Sequence, residues 1–153
     1  MDGKKARILV IDDQLSEVKM VNMMLEQAGY EIVYIHNGKD GIKKAIKEDF
    51  DLVLTDMVMP DIDGMRVLRE VKKSKPHLPV IMMTGHASVK TAVQAMKLGA
   101  HHYLEKGFTP LELISEIESA FYDSKKHQFE EREIIPQGRD EWLEHREQSL
   151  ILS

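Results

Sequence analysis

The chain alternates. Five short apolar runs, Ile8–Ile11, Ile32–Ile35, Leu52–Thr55, Val80–Met83 and Tyr103–Leu104, are interleaved with five longer amphipathic stretches. Those stretches lie near Ser16–Ala28, Gly38–Glu48, Gly64–Ser74, Val89–Leu98 and Pro110–Ser124, with apolar residues at helical spacing. The short runs are apolar on both faces, so each strand needs cover on two sides. Strict strand-then-helix order of this kind predicts an α/β fold, a parallel sheet with helices packed on both of its faces. Ser16 is the expected N-cap of the first helix, and Gly29 follows Ala28 as a helix-ending glycine would. Met20, Met23 and Met24 recur at helical spacing and are expected in the core.

The alternation stops near Lys126, which predicts a domain over residues 1–126 and a charged extension over 127–153. The extension holds three arginines against seven acidic residues, so most of the net charge of −5 lies there. Pro136 and Gly138 interrupt it, and Asp140–Leu152 has the makings of one short helix, with Leu143 and Leu150 seven residues apart and Trp142 beside them. Twenty-seven residues are too few for a second globular domain. The remainder carries almost no net charge and no basic stripe, so direct nucleic-acid binding is not expected. No apolar run approaches the length of a membrane span, and the N-terminal run ends in Asp12-Asp13 rather than a small-residue cleavage site. With no cysteine in the chain, a cytoplasmic protein is expected.

Parallel strands put all their carboxyl ends on one edge of the sheet, where open α/β folds bind ligands. Four of these runs deliver polar residues to that edge. Asp12 and Asp13 follow the first, Asp56 ends the third, Thr84 follows the fourth and Lys106 follows the fifth. Taken singly, each has an ordinary explanation. Asp caps helices and forms turns, Thr suits strands, and a lone Lys is usually solvated. Together they describe chemistry. Two carboxylates 4 Å apart repel by about 4 kcal/mol at an effective dielectric near 20, so three need a cation. Magnesium suits one or two carboxylates plus phosphate oxygens. A carboxylate between a metal and a cation can attack phosphorus and form an aspartyl phosphate. Thr84 offers a hydroxyl to a phosphoryl oxygen, Gly85 leaves room for the approach, and Lys106 supplies a compact positive charge.

Four segments in order, Ile-Leu-Val-Ile-Asp12-Asp13, Asp56-Met-Val-Met-Pro60-Asp-Ile-Asp-Gly64, Met-Met-Thr84-Gly85 and Gly99-Ala-His-His-Tyr103-Leu-Glu-Lys106, resemble the receiver domain of two-component response regulators. The resemblance to these CheY-like modules covers roughly residues 5 to 124. It implies a (βα)5 doubly wound, five-stranded parallel sheet in the flavodoxin-like order 2-1-3-4-5. It implies that Asp56 accepts a phosphoryl group, that Asp12, Asp13, Asp56 and the Met57 carbonyl hold Mg2+, and that Thr84 and Lys106 contact the phosphoryl group. Tyr103 matches the family's switch aromatic, which changes rotamer as Thr84 moves. By the same resemblance, Val58 and His86 would flank the approach of the hydrolytic water. The chain departs from the pattern at Gly107, where the family usually has a proline joined by a cis bond, and at Gln14, where a third acidic residue is common. A cis bond at a non-proline costs about 2.5–4 kcal/mol, so a trans bond or a looser loop is expected there.

The implied partners are a histidine kinase or phosphotransfer protein upstream and a protein target downstream, with a homodimer through the face of the fourth helix, fifth strand and fifth helix compatible with the resemblance. No turnover enzyme is expected beyond self-catalysed phosphotransfer and autodephosphorylation. Two other readings fit parts of the pattern. A magnesium-dependent phosphohydrolase also uses an Asp nucleophile, but commonly carries Asp-x-Asp or Asp-x-Thr after its first strand, whereas here the pair is adjacent. A receiver serving only as a protein-binding scaffold is favoured by Gly107 alone. His36, His86, His101 and His102 lack the helical pairing or cysteine partners of a transition-metal site and are expected at the surface.

Overall fold

A computed structural model describes residues 5–134. The strands are Arg7–Ile11 (β1), Glu31–Ile35 (β2), Leu52–Asp56 (β3), Val80–Thr84 (β4) and His102–Glu105 (β5). The helices are Leu15–Gln27 (α1), Gly38–Lys47 (α2), Gly64–Ser74 (α3), Val89–Lys97 (α4) and Pro110–Ile134 (α5). All four strand pairings are parallel and the order is β2-β1-β3-β4-β5. The expected architecture and strand order are therefore both present.

Pleating sends alternate residues of each strand to opposite faces. Leu9 and Ile11 of β1, Val53 of β3, and Val80 and Met82 of β4 meet Ala45 of α2, Val67, Leu68 and Val71 of α3, and Ala95 of α4. Ile8 and Val10 of β1, Leu52 and Leu54 of β3, and Ile81 and Met83 of β4 meet Val21 and Leu25 of α1 and Leu113, Ile117 and Ala120 of α5. The central strands thus have two apolar faces because two helix layers cover them.

Local chemistry sets the helix ends. The side chains of Asn37, Asp63 and Ser88 accept the backbone N–H three residues on, each satisfying a donor the helix cannot. Thr109 and Glu112 exchange hydrogen bonds across the start of α5, with Pro110 in its first turn. Gly29 ends the first helix as expected. At φ +93 it lets its own N–H reach Glu26 and that of Tyr30 reach Leu25.

Three expectations need correcting. Ser16 is not the N-cap. Gln14 holds that position without a side-chain bond, because Asp12 Oδ1 already turns the chain by accepting the Gln14 N–H at 3.0 Å. Met20 and Met23 are not core residues, being 62% and 60% exposed. The buried stripe of α1 is Val18, Val21 and Leu25, and these two methionines fall on the opposite arc. The last helix runs past Ser124 to Ile134, since nothing from Asp123 to Ile134 is a Gly or Pro. The short helix expected over Asp140–Leu152 lies outside the described residues. The chain divides into two units, Met1–Phe121 and Tyr122–Ser153. The sheet and everything described next belong to the first.

Candidate functional site

β1 and β3 are adjacent, yet the chain leaves β1 toward β2 on one side and continues from β3 toward β4 and β5 on the other. Loops from neighbouring strands diverge at such a reversal and open a crevice at the carboxyl edge. Asp12 and Asp13 sit just beyond β1 and Asp56 is the last residue of β3. One carboxylate oxygen from each lies within 4.8 Å of the others. Asp12 and Asp56 are almost wholly buried.

Gly64 keeps the β3 end of this crevice tight. Its N–H donates to the Met57 carbonyl at 2.7 Å. A Cβ there would stand 2.4 Å from the Asp56 carbonyl oxygen and 2.7 Å from Met57 Cα, both backbone atoms. Asp61 pins the same loop from outside, accepting the N–H groups of Gly38 and Lys39 at the start of α2.

Lys106 enters from the far strand. Its backbone N–H donates to the Thr84 carbonyl at 2.7 Å, extending the β4–β5 ladder by one bond. Its ammonium donates to Asp56 Oδ1 at 2.9 Å, lies 3.5 Å from Asp12 Oδ2 and pairs with Glu17. Asp56 Oδ1 also accepts the Met57 N–H at 2.9 Å. Thr84 is buried at the end of β4 with its hydroxyl accepting the His86 N–H at 3.1 Å. Tyr103 is half-buried. Its hydroxyl shares a 2.6 Å hydrogen bond with Thr91 of α4 and lies 3.5 Å from the Met57 sulfur.

The electrostatics follow from burial. Desolvation raises the Asp12 pKa to about 6, against the Gln14 N–H and the Lys106 charge, which favour the carboxylate. Desolvation also raises Asp56, although hydrogen bonding and charge from Lys106 pull the other way. Burial alone would lower Lys106, but its bonds to Glu17 and Asp56 and the charges of Asp12 and Asp56 outweigh it, and its pKa is raised. Asp12 Oδ2 and Asp13 Oδ1 are buried without a hydrogen-bond partner. Buried carboxylate oxygens left unpaired are costly, and a dication with oxygen ligands is the group that would satisfy them. The residues present therefore fit Mg2+. Among the described residues this trio is the one acidic or histidine cluster able to hold a metal, and no histidine belongs to it.

The description of the response regulator receiver domain matches residues 8–118. This chain belongs to that family. The receiver is 41% identical over 106 residues to the transcriptional regulatory protein ZraR of Klebsiella oxytoca, covering 69% of this chain and 24% of that protein. The chain thus spans about a quarter of that relative's length. Among solved structures, a CheY-like receiver domain protein from Methanospirillum hungatei JF-1 has a TM-score of 0.77 at 31% identity, covering 81% of this chain and 99% of that one. The beryllofluoride-activated NtrC4 receiver domain dimer has a TM-score of 0.74 at 36% identity, covering 77% and 98%.

Two features of this receiver go beyond its motifs. Gly107 has the trans bond expected of it, with no cis peptide bond among the described residues, but takes φ +100, outside the range open to proline. The β5–α5 loop therefore turns by a route of its own, and Lys106 still reaches Asp56. Glu17, on the first turn of α1, completes the contacts of Lys106. Its only signal in the sequence is its place four residues beyond Asp13, one helical turn from the acidic pair.

Proposed function

We propose that this chain is a phosphorylation switch in a two-component relay, taking a phosphoryl group from a phosphohistidine onto Asp56. The observation that carries the reading is the 2.9 Å contact between Lys106 Nζ and Asp56 Oδ1 beside two buried oxygens of Asp12 and Asp13 that accept no hydrogen bond. Asp56 Oδ1 is occupied by Lys106 and the Met57 N–H, so Oδ2 is the oxygen open to attack. An Oδ2–P bond forms as the donor P–N bond breaks, and that electron pair leaves with the imidazole nitrogen. Asp12, Asp13, Asp56 and the Met57 carbonyl would hold Mg2+, which when bound supplies positive charge to the phosphoryl oxygens. The Met57 carbonyl accepts one hydrogen bond, from Gly64, and keeps a second lone pair for that purpose.

The new group carries about −1.5 to −2 charge. Lys106 and the Thr84 hydroxyl turn to it, and Thr84 gives up its bond from His86. Tyr103 then exchanges its contact with Thr91, which links the site to α4. The output is read on the surface of α4, β5 and α5, where Val89, Val93 and Met96 form an exposed apolar stripe along α4. That surface would meet a downstream protein or a second copy of the chain. Water entering between the exposed Val58 and His86 hydrolyses the acyl phosphate and resets the switch. The upstream partner is a histidine kinase or phosphotransfer protein, the setting is cytoplasmic, and residues 1–126 act without touching nucleic acid themselves. No helix among the described residues is long and apolar enough to cross a membrane.

The test is an NMR titration of the whole chain with Mg2+ and then with beryllium fluoride, a phosphoryl mimic. The proposal expects Mg2+ to shift Asp13, Asp56 and Met57, and the mimic to shift Thr84, Lys106, Tyr103 and α4. Silence at Asp13 and Asp56 would leave a scaffold in place of a switch. Steady hydrolysis of small phosphate esters would instead favour the phosphohydrolase.

A further inference from the structure

Lys106 has one ammonium and three claimants. Asp56 Oδ1 is 2.9 Å away, Asp12 Oδ2 is 3.5 Å away, and Glu17 pairs with it from α1. Asp56 belongs to the reaction and Asp12 to the metal-capable trio. Glu17 belongs to neither, and it sits at the solvent side of the crevice with about a third of its side chain exposed. It therefore puts a third carboxylate on a cation already shared by Asp56 and Asp12. A phosphoryl group arriving at Asp56 needs the same ammonium and meets the Glu17 charge as it comes.

We propose that Glu17 is a resting-state counter-ion for Lys106, one that the incoming phosphoryl group must displace and that discriminates against small, highly charged phosphodonors. The inference rests on the reading of Asp56 as phospho-acceptor. Three features support it. Glu17 is held by a helix anchored in the core through Val18 and Val21, so its carboxylate is presented to Lys106 from a fixed backbone. Lys106 is already engaged by Glu17 and Asp56, with Asp12 Oδ2 3.5 Å away, so a phosphoryl oxygen competes with these carboxylates for the ammonium. Of the three carboxylates, only that of Glu17 has no other task in the crevice. Like-charge repulsion scales with the charge on the visitor. The penalty from Glu17 is thus larger for a dianion than for a monoanion. It matters least when a protein donor brings its phosphoryl group on a neutral imidazole with docking contacts of its own.

The experiment compares the whole chain with Glu17→Gln, which keeps the shape and removes the charge. Phosphorylation of Asp56 is timed with acetyl phosphate, mostly a dianion at neutral pH, and with phosphoramidate, mostly a monoanion. The proposal expects Glu17→Gln to accelerate acetyl phosphate by about tenfold and phosphoramidate by about threefold, since repulsion follows the product of charges. Raising the salt concentration should shrink both gains. In metal-free protein, inorganic phosphate titrated by NMR should bind Glu17→Gln several-fold more tightly, judged at the Lys106 resonances. Glu17→Asp, with the charge kept, should stay close to the native rates. Equal slowing with both donors would overturn the proposal and make Glu17 an orienting group for Lys106. Unchanged rates and phosphate affinity would overturn it too. Label uptake that survives Asp56→Asn would remove the phospho-acceptor reading and the proposal with it, whereas Asp56-dependent uptake with no effect of Glu17→Gln would sink this inference alone.

Discussion

Asp12 is the residue at which the cost of the site is most visible. It is nearly fully buried, it has an oxygen with no hydrogen-bond partner, and its pKa is pushed up to about 6. A carboxyl group whose pKa is higher in the folded chain than in the unfolded one binds its proton more tightly when folded. Its stabilising contribution is complete below the ordinary value of 3.8 and is lost as pH rises through about 6. Asn mimics the protonated side chain. In metal-free protein, Asp12→Asn should therefore match the native chain near pH 4 and exceed it by about 2 kcal/mol at pH 7.5. Urea denaturation at the two pH values measures the difference. Added Mg2+ should stabilise the native chain at pH 7.5, much less at pH 4, and Asp12→Asn at neither. A native chain that gains on Asp12→Asn with rising pH would show that Asp12 is not strained in this way.

At the scale of elements, two glycines shape the loops that carry the reactive groups. Gly64 opens α3 at a point where a Cβ would collide with the backbone of Asp56 and Met57. Gly64→Ala should cost about 2–4 kcal/mol, because backbone atoms cannot swing aside as a side chain can. Urea denaturation would reveal it, and a cost under about 0.5 kcal/mol, the range of an ordinary surface change, would contradict it. Gly107 is different. A Cβ there meets nothing, but φ is +100. Gly107→Pro, which restores the residue usual in the family, should destabilise this chain by at least about 1 kcal/mol, because its ring cannot follow that backbone. The same measurement checks it, and a neutral or stabilising effect would mean that the loop readily adopts another path.

The strands were legible because runs such as Leu52–Thr55 and Val80–Met83 have no polar face to expose, and only a central parallel strand needs none. The gathering of Asp12, Asp13, Asp56, Thr84 and Lys106 at one sheet edge was legible because the parallel topology puts the ends of separate strands there. What escaped the sequence depends on the phase of an element or on a contact across space. The methionines of α1 are apolar and helically spaced, yet Val18, Val21 and Leu25 decide which arc is buried. The cap at Ser16 was misplaced because Asp12 turns the chain first. Glu17 meets Lys106 across 89 residues of sequence, a separation that no local pattern registers.

For the molecule as a whole, the order β2-β1-β3-β4-β5 turns a scattered set of polar residues into one crevice. Two helix layers bury the central strands, and the edge they form holds three carboxylates together, with Lys106 against Asp56 and Asp12. The role proposed for this edge is to take a phosphoryl group onto Asp56. The most direct measurement is intact-mass spectrometry of the whole chain after incubation with acetyl phosphate and Mg2+, alongside Asp56→Asn. The account predicts that the native chain gains the mass of one phosphoryl group, labile to hydroxylamine as an acyl phosphate is, and that Asp56→Asn gains none. Uptake by Asp56→Asn equal to the native chain, or none by a native chain whose fold and Mg2+ binding are intact, would contradict it.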